Sequence, residues 1–233
     1  MLNTIINNDC RIIFPEIKKQ YKEEFTIISD CPYNIKFNKY SDYKDNLSDK
    51  EYIDLISTFK DLPVAIIQYP EEMMKYIVPA LGIPDEVLAW CYPSNISRQF
   101  RLINIYNKKP DFSKVLQPYR NPTDKRVQKL IAEGSKGTPI YDWFSDINIV
   151  KNVSKEKLQH PCQIPVTLME RLILLLTEEN DIVVDPFMGV GSTAIACLKT
   201  KRNYIGIEIS QKYCSIAEKR IENFKENNVD IFK

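Results

Sequence analysis

A glycine-rich turn close to the C-terminal end constrains this chain most. Ile182-Val183-Val184-Asp185 reads as a buried strand, Pro186-Phe187-Met188-Gly189-Val190-Gly191 as a turn, and Ser192-Thr193-Ala194 as the start of a helix. Glycines let backbone approach a ligand closely, and a helix N-terminus offers unpaired N–H groups. Glu208 ends the next strand, 19 residues beyond Gly189. A carboxylate there can accept both ribose hydroxyls of a nucleoside. Gly189-x-Gly191-x-x-Ala194 also matches a dinucleotide fingerprint. Only 25 residues follow Glu208, however, whereas a dinucleotide fold builds onward from its first βαβ unit. Most of the sheet has to come from upstream, so the two halves of the α/β domain are permuted.

The upstream sequence supplies such elements. Phe25-Thr26-Ile27-Ile28 and Val64-Ala65-Ile66-Ile67 read as short buried strands. Asp45 to Phe59 has helical spacing of Leu47, Tyr52, Leu55, Ile56 and Phe59, with Ser48 as N-cap ahead of Glu51. Glu71 to Pro79 suggests a further helix, and Glu86 to Tyr92 with Phe100 to Asn107 a hairpin-like strand pair. Downstream, Val166 to Thr177, Ser192 to Lys199 and Gln211 to Phe224 read as helices around strands Asp181 to Asp185 and Tyr204 to Ile209. This alternation is doubly wound α/β logic.

Ser29-Asp30-Cys31-Pro32-Tyr33-Asn34 follows the first of these strands. Ligand sites in such sheets lie at carboxyl ends of strands, where this segment falls. Its residues suit methylation of an exocyclic amine. That nitrogen is a poor nucleophile because its lone pair is conjugated with the ring. Accepting its protons on a carboxylate, Asp30, and on a carbonyl, that of Cys31, restores lone-pair character. Tyr33 offers a face on which an extruded base can stack.

Composition narrows the chemistry. The single histidine, His160, leaves little room for a Ser/His/Asp triad or a His-rich metal site, and reads as a structural residue near the cofactor. Cysteines at 10, 31, 91, 162, 197 and 214 lack metal-ligand spacing, so no metal is expected. No apolar run approaches a membrane span, the longest being Leu172 to Leu176. Scattered cysteines without a secretory leader point to a cytoplasmic protein.

The ordered set of motifs resembles the beta class of N6-adenine/N4-cytosine DNA methyltransferases, in which the catalytic motif precedes target recognition and the cofactor motif comes last. Asn8-Asp9-Cys10 resembles the opening motif near the cofactor adenine. Asp30-Cys31-Pro32-Tyr33 resembles the Asp-Pro-Pro-Tyr signature, with Cys31 where proline is usual. Tyr43-Lys44-Asp45-Asn46-Leu47-Ser48 and His160-Pro161-Cys162-Gln163-Ile164-Pro165 resemble the flanking segments. The resemblance implies a Rossmann-like, S-adenosylmethionine (AdoMet)-dependent methyltransferase fold with permuted motif order and a seven-stranded type of sheet. It implies a catalytic set of Asp30, Cys31, Pro32 and Tyr33. The implied cofactor set is Asp9, Cys10, Asp185, Pro186, Phe187, Gly189, Gly191, Ser192, Thr193 and Glu208. It further implies site-specific methylation of adenine N6 in duplex DNA by base flipping, as in restriction-modification, since N4-cytosine members more often carry serine at the position of Asp30. N4-cytosine methylation is the near alternative and a nicotinamide-dependent oxidoreductase the distant one. Cys31 is read as a carbonyl donor to the mechanism, not as a nucleophile. The partner implied is double-stranded DNA, and a homodimer is compatible with the resemblance.

Three segments are expected: a catalytic half over 1–107, a target-recognition insert over 108–157, and an AdoMet-binding half over 158–233. The chain's net charge is only +1, so DNA binding needs a local patch. The insert supplies one, with eleven Lys/Arg against six Asp/Glu. Its prolines and glycines predict irregular structure, while Tyr119, Tyr141, Trp143 and Phe144 argue against a solvated tether. Arg98, Arg101, Arg120, Lys125 and Arg126 are the candidate DNA-binding residues, with Asn121 and Gln128 as further base-edge candidates.

Overall fold

The computed structural model describes residues 1–37, 45–95 and 97–228. Tyr43 and Lys44 of the segment after the catalytic motif lie outside them. The elements run β1 (Thr4–Asn7), α1 (Cys10–Tyr21), β2 (Thr26–Asp30), α2 (Asp49–Ser57), β3 (Val64–Gln68), α3 (Pro70–Glu72), a π-helical turn (Met73–Ile77) and α4 (Val78–Leu81). They continue with β4 (Glu86–Cys91), β5 (Phe100–Tyr106), a 3₁₀ turn (Phe112–Lys114), β6 (Leu116–Gln117), α5 (Lys125–Ala132), β7 (Thr138–Pro139) and β8 (Trp143–Phe144). The last stretch is α6 (Val166–Leu176), β9 (Ile182–Asp185), α7 (Ser192–Lys199), β10 (Asn203–Glu208) and α8 (Gln211–Asn227).

One sheet has the order β1-β10-β9-β2-β3-β5-β4-β8. From β1 to β3 every pairing is parallel; β5 and β4 then form the antiparallel hairpin expected from sequence. Strand β2 lies against β9, Thr26 opposite Val183 and Ile27 opposite Val184. The chain leaves β2 toward β3 and leaves β9 toward β10, so the strand order reverses between them. That reversal opens a crevice at the carboxyl ends of the two strands.

The near-continuous apolar runs of the central strands are buried on both faces. Ile28, Ala65, Ile67 and Val183 pack with α6 and α7. Their alternates Ile27, Val64, Ile66 and Val184 pack with α1, α2 and the π turn. Helix α2 starts at Asp49 because Ser48 and Glu51 close a reciprocal capping box. The helix expected over Glu71 to Pro79 is interrupted by the π turn. Pro79 lacks an N–H and its ring crowds the carbonyl four residues back; a wider turn accommodates it.

Outside residues 108–157, where α5, β6, β7 and β8 bring regular elements to a stretch expected to be irregular, two elements were not expected from sequence, β1 and α1. They add the edge strand beside β10 and a helix capped by Asp9. The segment 108–157 is tied into the domain. Strand β8 extends the sheet beyond β4, and Ile140, Phe144 and Ile147 join the core. The buried Trp90 indole donates to the Ile147 carbonyl at 2.7 Å. The sheet therefore has eight strands, the eighth being this two-residue edge.

Candidate active site

The crevice between β2 and β9 opens into a cavity enclosing about 1100 Å³, counting its mouth. The Asp30 loop, the glycine turn, the start of α1 and the end of β10 all line it. A ligand reaching from Glu208 to Asp30 would thus meet both motifs.

Asp185 organises the floor. Its carboxylate accepts from Ser29 Oγ at 2.6 Å, from Thr193 Oγ1, and from the Phe187 N–H at 3.1 Å. One side chain thereby joins the end of β2, the glycine turn and the start of α7. Burial pushes its pKa up, and these three donors oppose the shift. Gly189 and Gly191 both take left-handed conformations, φ +54° and +81°. A Cβ on Gly191 would sit 3.1 Å from that of Ala217, so the turn could not lie so close to α8 with any larger residue. Ser192 Oγ donates to the Ile164 carbonyl at 2.7 Å, anchoring the segment that leads into α6.

Glu208 accepts from the Gly189 N–H and the Ser210 N–H, both at 2.8 Å. Each carboxylate oxygen has one such backbone partner, and each retains acceptor capacity. Asp9 caps α1 and chelates the Arg11 guanidinium, which holds its carboxyl below the usual range. Cys10 is buried beside it, its thiol pushed up to about 12 by desolvation. His160 packs edge-on against Tyr213, ring centroids 4.6 Å apart. Burial, with Lys157 nearby, lowers its pKa to about 4 and keeps the imidazole neutral.

The Asp30 loop has a different character. Tyr33 Oη donates to Asp30 Oδ1 at 2.8 Å, and Arg101 Nη1 lies 3.6 Å from the same oxygen. Burial raises the Asp30 pKa to about 6, with Arg101 and then Tyr33 pulling it down. The Tyr33 ring packs against Tyr69 at 5.0 Å and is mostly buried. The loop is pinned through the Pro32 carbonyl, which accepts from Tyr52 Oη and from Gln68 Nε2. The anchoring bonds thus converge on Pro32 and leave the Cys31 carbonyl out. Cys31 itself is buried and its thiol is pushed well above its usual pKa by desolvation and by Asp185. A thiol so protonated is a poor nucleophile.

The candidate DNA-binding residues are dispersed. Arg101 is not on an exposed positive face: it points inward from β5 and is only 7% exposed. It shares the core face with Ile103 and Ile105, and that period-two alternation is the signal by which sequence could have placed it. Arg98 is held by Glu72 at 3.1 Å and lies over the Tyr69 ring. Arg120 lies 4.5 Å over Tyr141 on the exposed surface. Lys125 and Arg126 open α5, with Arg126 turned back onto Asp124. Ser29, Tyr69 and Tyr52 were missed; single polar or aromatic residues next to a strand carry no spacing signal. Among the described residues no cluster of metal-ligating side chains exists and no helix is long and apolar enough to cross a membrane.

Comparison with known proteins agrees with this geometry. The N6/N4 DNA methylase family matches residues 25–219. The type II methyltransferase M2.DpnII of Streptococcus pneumoniae is 41% identical over 99 residues, 42% of this chain and 37% of the relative. The type II methyltransferase M.BglII of Bacillus subtilis is 33% identical over 156 residues, 60% of this chain and 43% of the relative. The chain thus spans about two-fifths of the length of these curated relatives. The crystal structure of the M1.HpyAVI–SAM complex superposes with a TM-score of 0.64 at 24% identity, covering 94% of this chain and 98% of that one. The fold is the α/β, Rossmann-like methyltransferase fold, and the chain belongs to the N6/N4 family of DNA methylases.

Proposed function

We propose that this protein methylates the N6 amino group of adenine in duplex DNA, using AdoMet and a base flipped out of the helix. One observation carries the reading: the Asp30 loop and the Asp185–Thr193 turn line a single cavity. The cavity fits the cofactor. Glu208 presents two fixed carboxylate oxygens to ribose, Asp9 and Cys10 flank the far end, and the neutral His160 and the glycine turn bound its floor. AdoMet, when bound, supplies a methyl group activated on sulfonium.

The chain's own residues do the remainder. Asp30 Oδ1 is occupied by Tyr33 and faces Arg101, which leaves Oδ2 to accept one amino proton. The Cys31 carbonyl accepts the other. Both bonds draw the nitrogen lone pair out of ring conjugation toward the methyl carbon. As the N–C bond forms, the methyl–sulfur bond would break with its electron pair left on a neutral thioether, and the nitrogen carries one proton too many. Asp30, with a pKa near 6, is the adjacent base that can take it. Cys31 contributes backbone only. Tyr33 orients Asp30 and lines the cavity, its ring buried against Tyr69.

Incubating the protein with labelled AdoMet and mixed-sequence DNA, then sequencing the product for N6-methyladenine and N4-methylcytosine together, tests this. N6-methyladenine alone is expected, and none from Asp30→Ala. N4-methylcytosine as the product would overturn the choice of base. Normal methylation by Asp30→Ala would overturn the catalytic assignment.

A further inference from the structure

Beside the cavity lies a group that methyl transfer does not by itself account for. The Arg101 guanidinium is buried inside the domain among four aromatic rings: Tyr33 at 5.3 Å, Tyr69 at 5.0 Å, Trp90 at 5.2 Å and Tyr92 at 5.8 Å from its central carbon. Its Nε and Nη1 are shielded from solvent and make no hydrogen bond. Among the described residues, the carboxylate paired with it is that of Asp30, at 3.6 Å.

That arrangement is costly as architecture. A buried cation with unmet N–H groups is destabilising, and apolar side chains of similar volume would pack the same space at less cost. Aromatic faces offset part of the desolvation, because their quadrupoles attract a cation. They do not replace hydrogen bonds. The guanidinium does not line the cavity, and its Nε and Nη1 are shielded from solvent. What it does reach is Asp30 Oδ1, the oxygen that also accepts from Tyr33.

We propose that Arg101 is the positioning residue of the active site, a caged counter-ion that keeps the Asp30 carboxylate charged and turned toward the cavity without touching substrate. Four ring centroids within about 6 Å hold the guanidinium in place. Tyr33 belongs to both sets, donating to Asp30 and packing on Arg101. The charge balance around Asp30 depends on this one cation. The groups facing it are Arg101 from β5, Tyr33 from its own loop and Asp185 from β9, with the neutral Cys31 thiol alongside; Tyr69 and Tyr92 face Arg101 in turn. Burial and Asp185 both favour the protonated acid, and Arg101 is the largest influence opposing them. Without it, the balance at Asp30 shifts further toward the protonated acid, which cannot serve as the acceptor. The inference rests on the methyl-transfer reading of Asp30.

The test is the pH dependence of methyl transfer by the wild type, R101M and R101K. Arg101→Met should move the acid limb up by about one to three pH units, the shift expected for loss of an adjacent opposite charge. Its deficit should therefore shrink as pH rises, with the KM for AdoMet unchanged. Arg101→Lys, which keeps the charge, should restore most of the wild-type limb. An R101M profile with the wild-type acid limb, or one depressed equally at every pH, overturns the proposal. If R101M fails to fold, a ¹³C titration of Asp30 in the wild-type protein decides. A carboxylate titrating near the value of about 6 supports the proposal; a carboxyl still protonated at about pH 8 overturns it. Wild-type protein that methylates no DNA at any pH sinks the methyl-transfer reading instead, and the titration still judges the Arg101–Asp30 pairing.

Discussion

At the scale of single residues, the proposed mechanism makes the charge on Asp30 decide when the site works. Its pKa is raised to about 6, so the acceptor form prevails above that value and is lost as pH falls through it. The turnover rate with saturating DNA should therefore fall with an acid limb near 6, measured as labelled methyl transfer against pH. Asp30→Asn keeps the shape and removes the charge. A loss of about 10²- to 10⁴-fold in turnover is expected, with AdoMet binding by calorimetry nearly unchanged because the glycine turn is untouched. Cys31→Ala makes the opposite case. The proposed mechanism uses only its carbonyl, so activity should stay within the same order of magnitude, and the buried wild-type thiol should resist iodoacetamide in the folded protein. A Cys31→Ala enzyme without activity would show that the side chain takes part. Asp30 and Tyr33 were legible in the sequence because they lie three residues apart on one loop. Arg101 was not, because it is far along the chain and a lone arginine reads as surface. Its place on the core face of β5 follows from alternation with Ile103 and Ile105, against the rule that charges face out.

Between residues and the whole, the coupling of two strand ends decides whether there is a site. Ser29 is the penultimate residue of β2 and Asp185 ends β9, and their hydrogen bond crosses the point where the strand order reverses. Asp185→Ala would strand the Ser29 and Thr193 hydroxyls and the Phe187 N–H in a buried place. A destabilisation on the order of 3 kcal/mol is expected, read by urea unfolding, together with loss of AdoMet binding. Retained AdoMet affinity in a folded Asp185→Ala protein would mean that the turn holds its shape without that carboxylate. Which elements were legible follows from physical signal. The strand–turn–helix from Ile182 to Lys199 carries apolar run, glycines and small residues in order, and its helix has the expected bounds. Strand β1 has only Ile5 and Ile6 as apolar signal, and β8 is two residues long. Their formation depends on a neighbouring edge, β10 or β4, which no local pattern reveals.

For the molecule as a whole, the proposed function asks how a chain with net charge +1 would hold a polyanion. The basic surplus lies in residues 108–157, but several of its cations are engaged inside the protein. Lys108 donates to Thr26, and Lys114 pairs with Glu178. Upstream, Arg101 is withdrawn into the core and Arg98 is held by Glu72. Lys125 and Arg120 remain solvent-facing, Lys125 on the exposed first turn of α5. DNA affinity, measured by anisotropy over a salt series, should therefore weaken as salt rises. Lys125→Ala should reduce the slope of log affinity against log salt by about one phosphate contact. Arg98→Ala should leave the slope alone, since that guanidinium is already neutralised by Glu72. AdoMet binding should be the same in both variants, because neither side chain lines the cavity. A Lys125→Ala slope equal to that of the wild type would remove α5 from the DNA interface. A reduced slope in Arg98→Ala would put the phosphates on the hairpin side of the catalytic loop, next to the Arg101 cage.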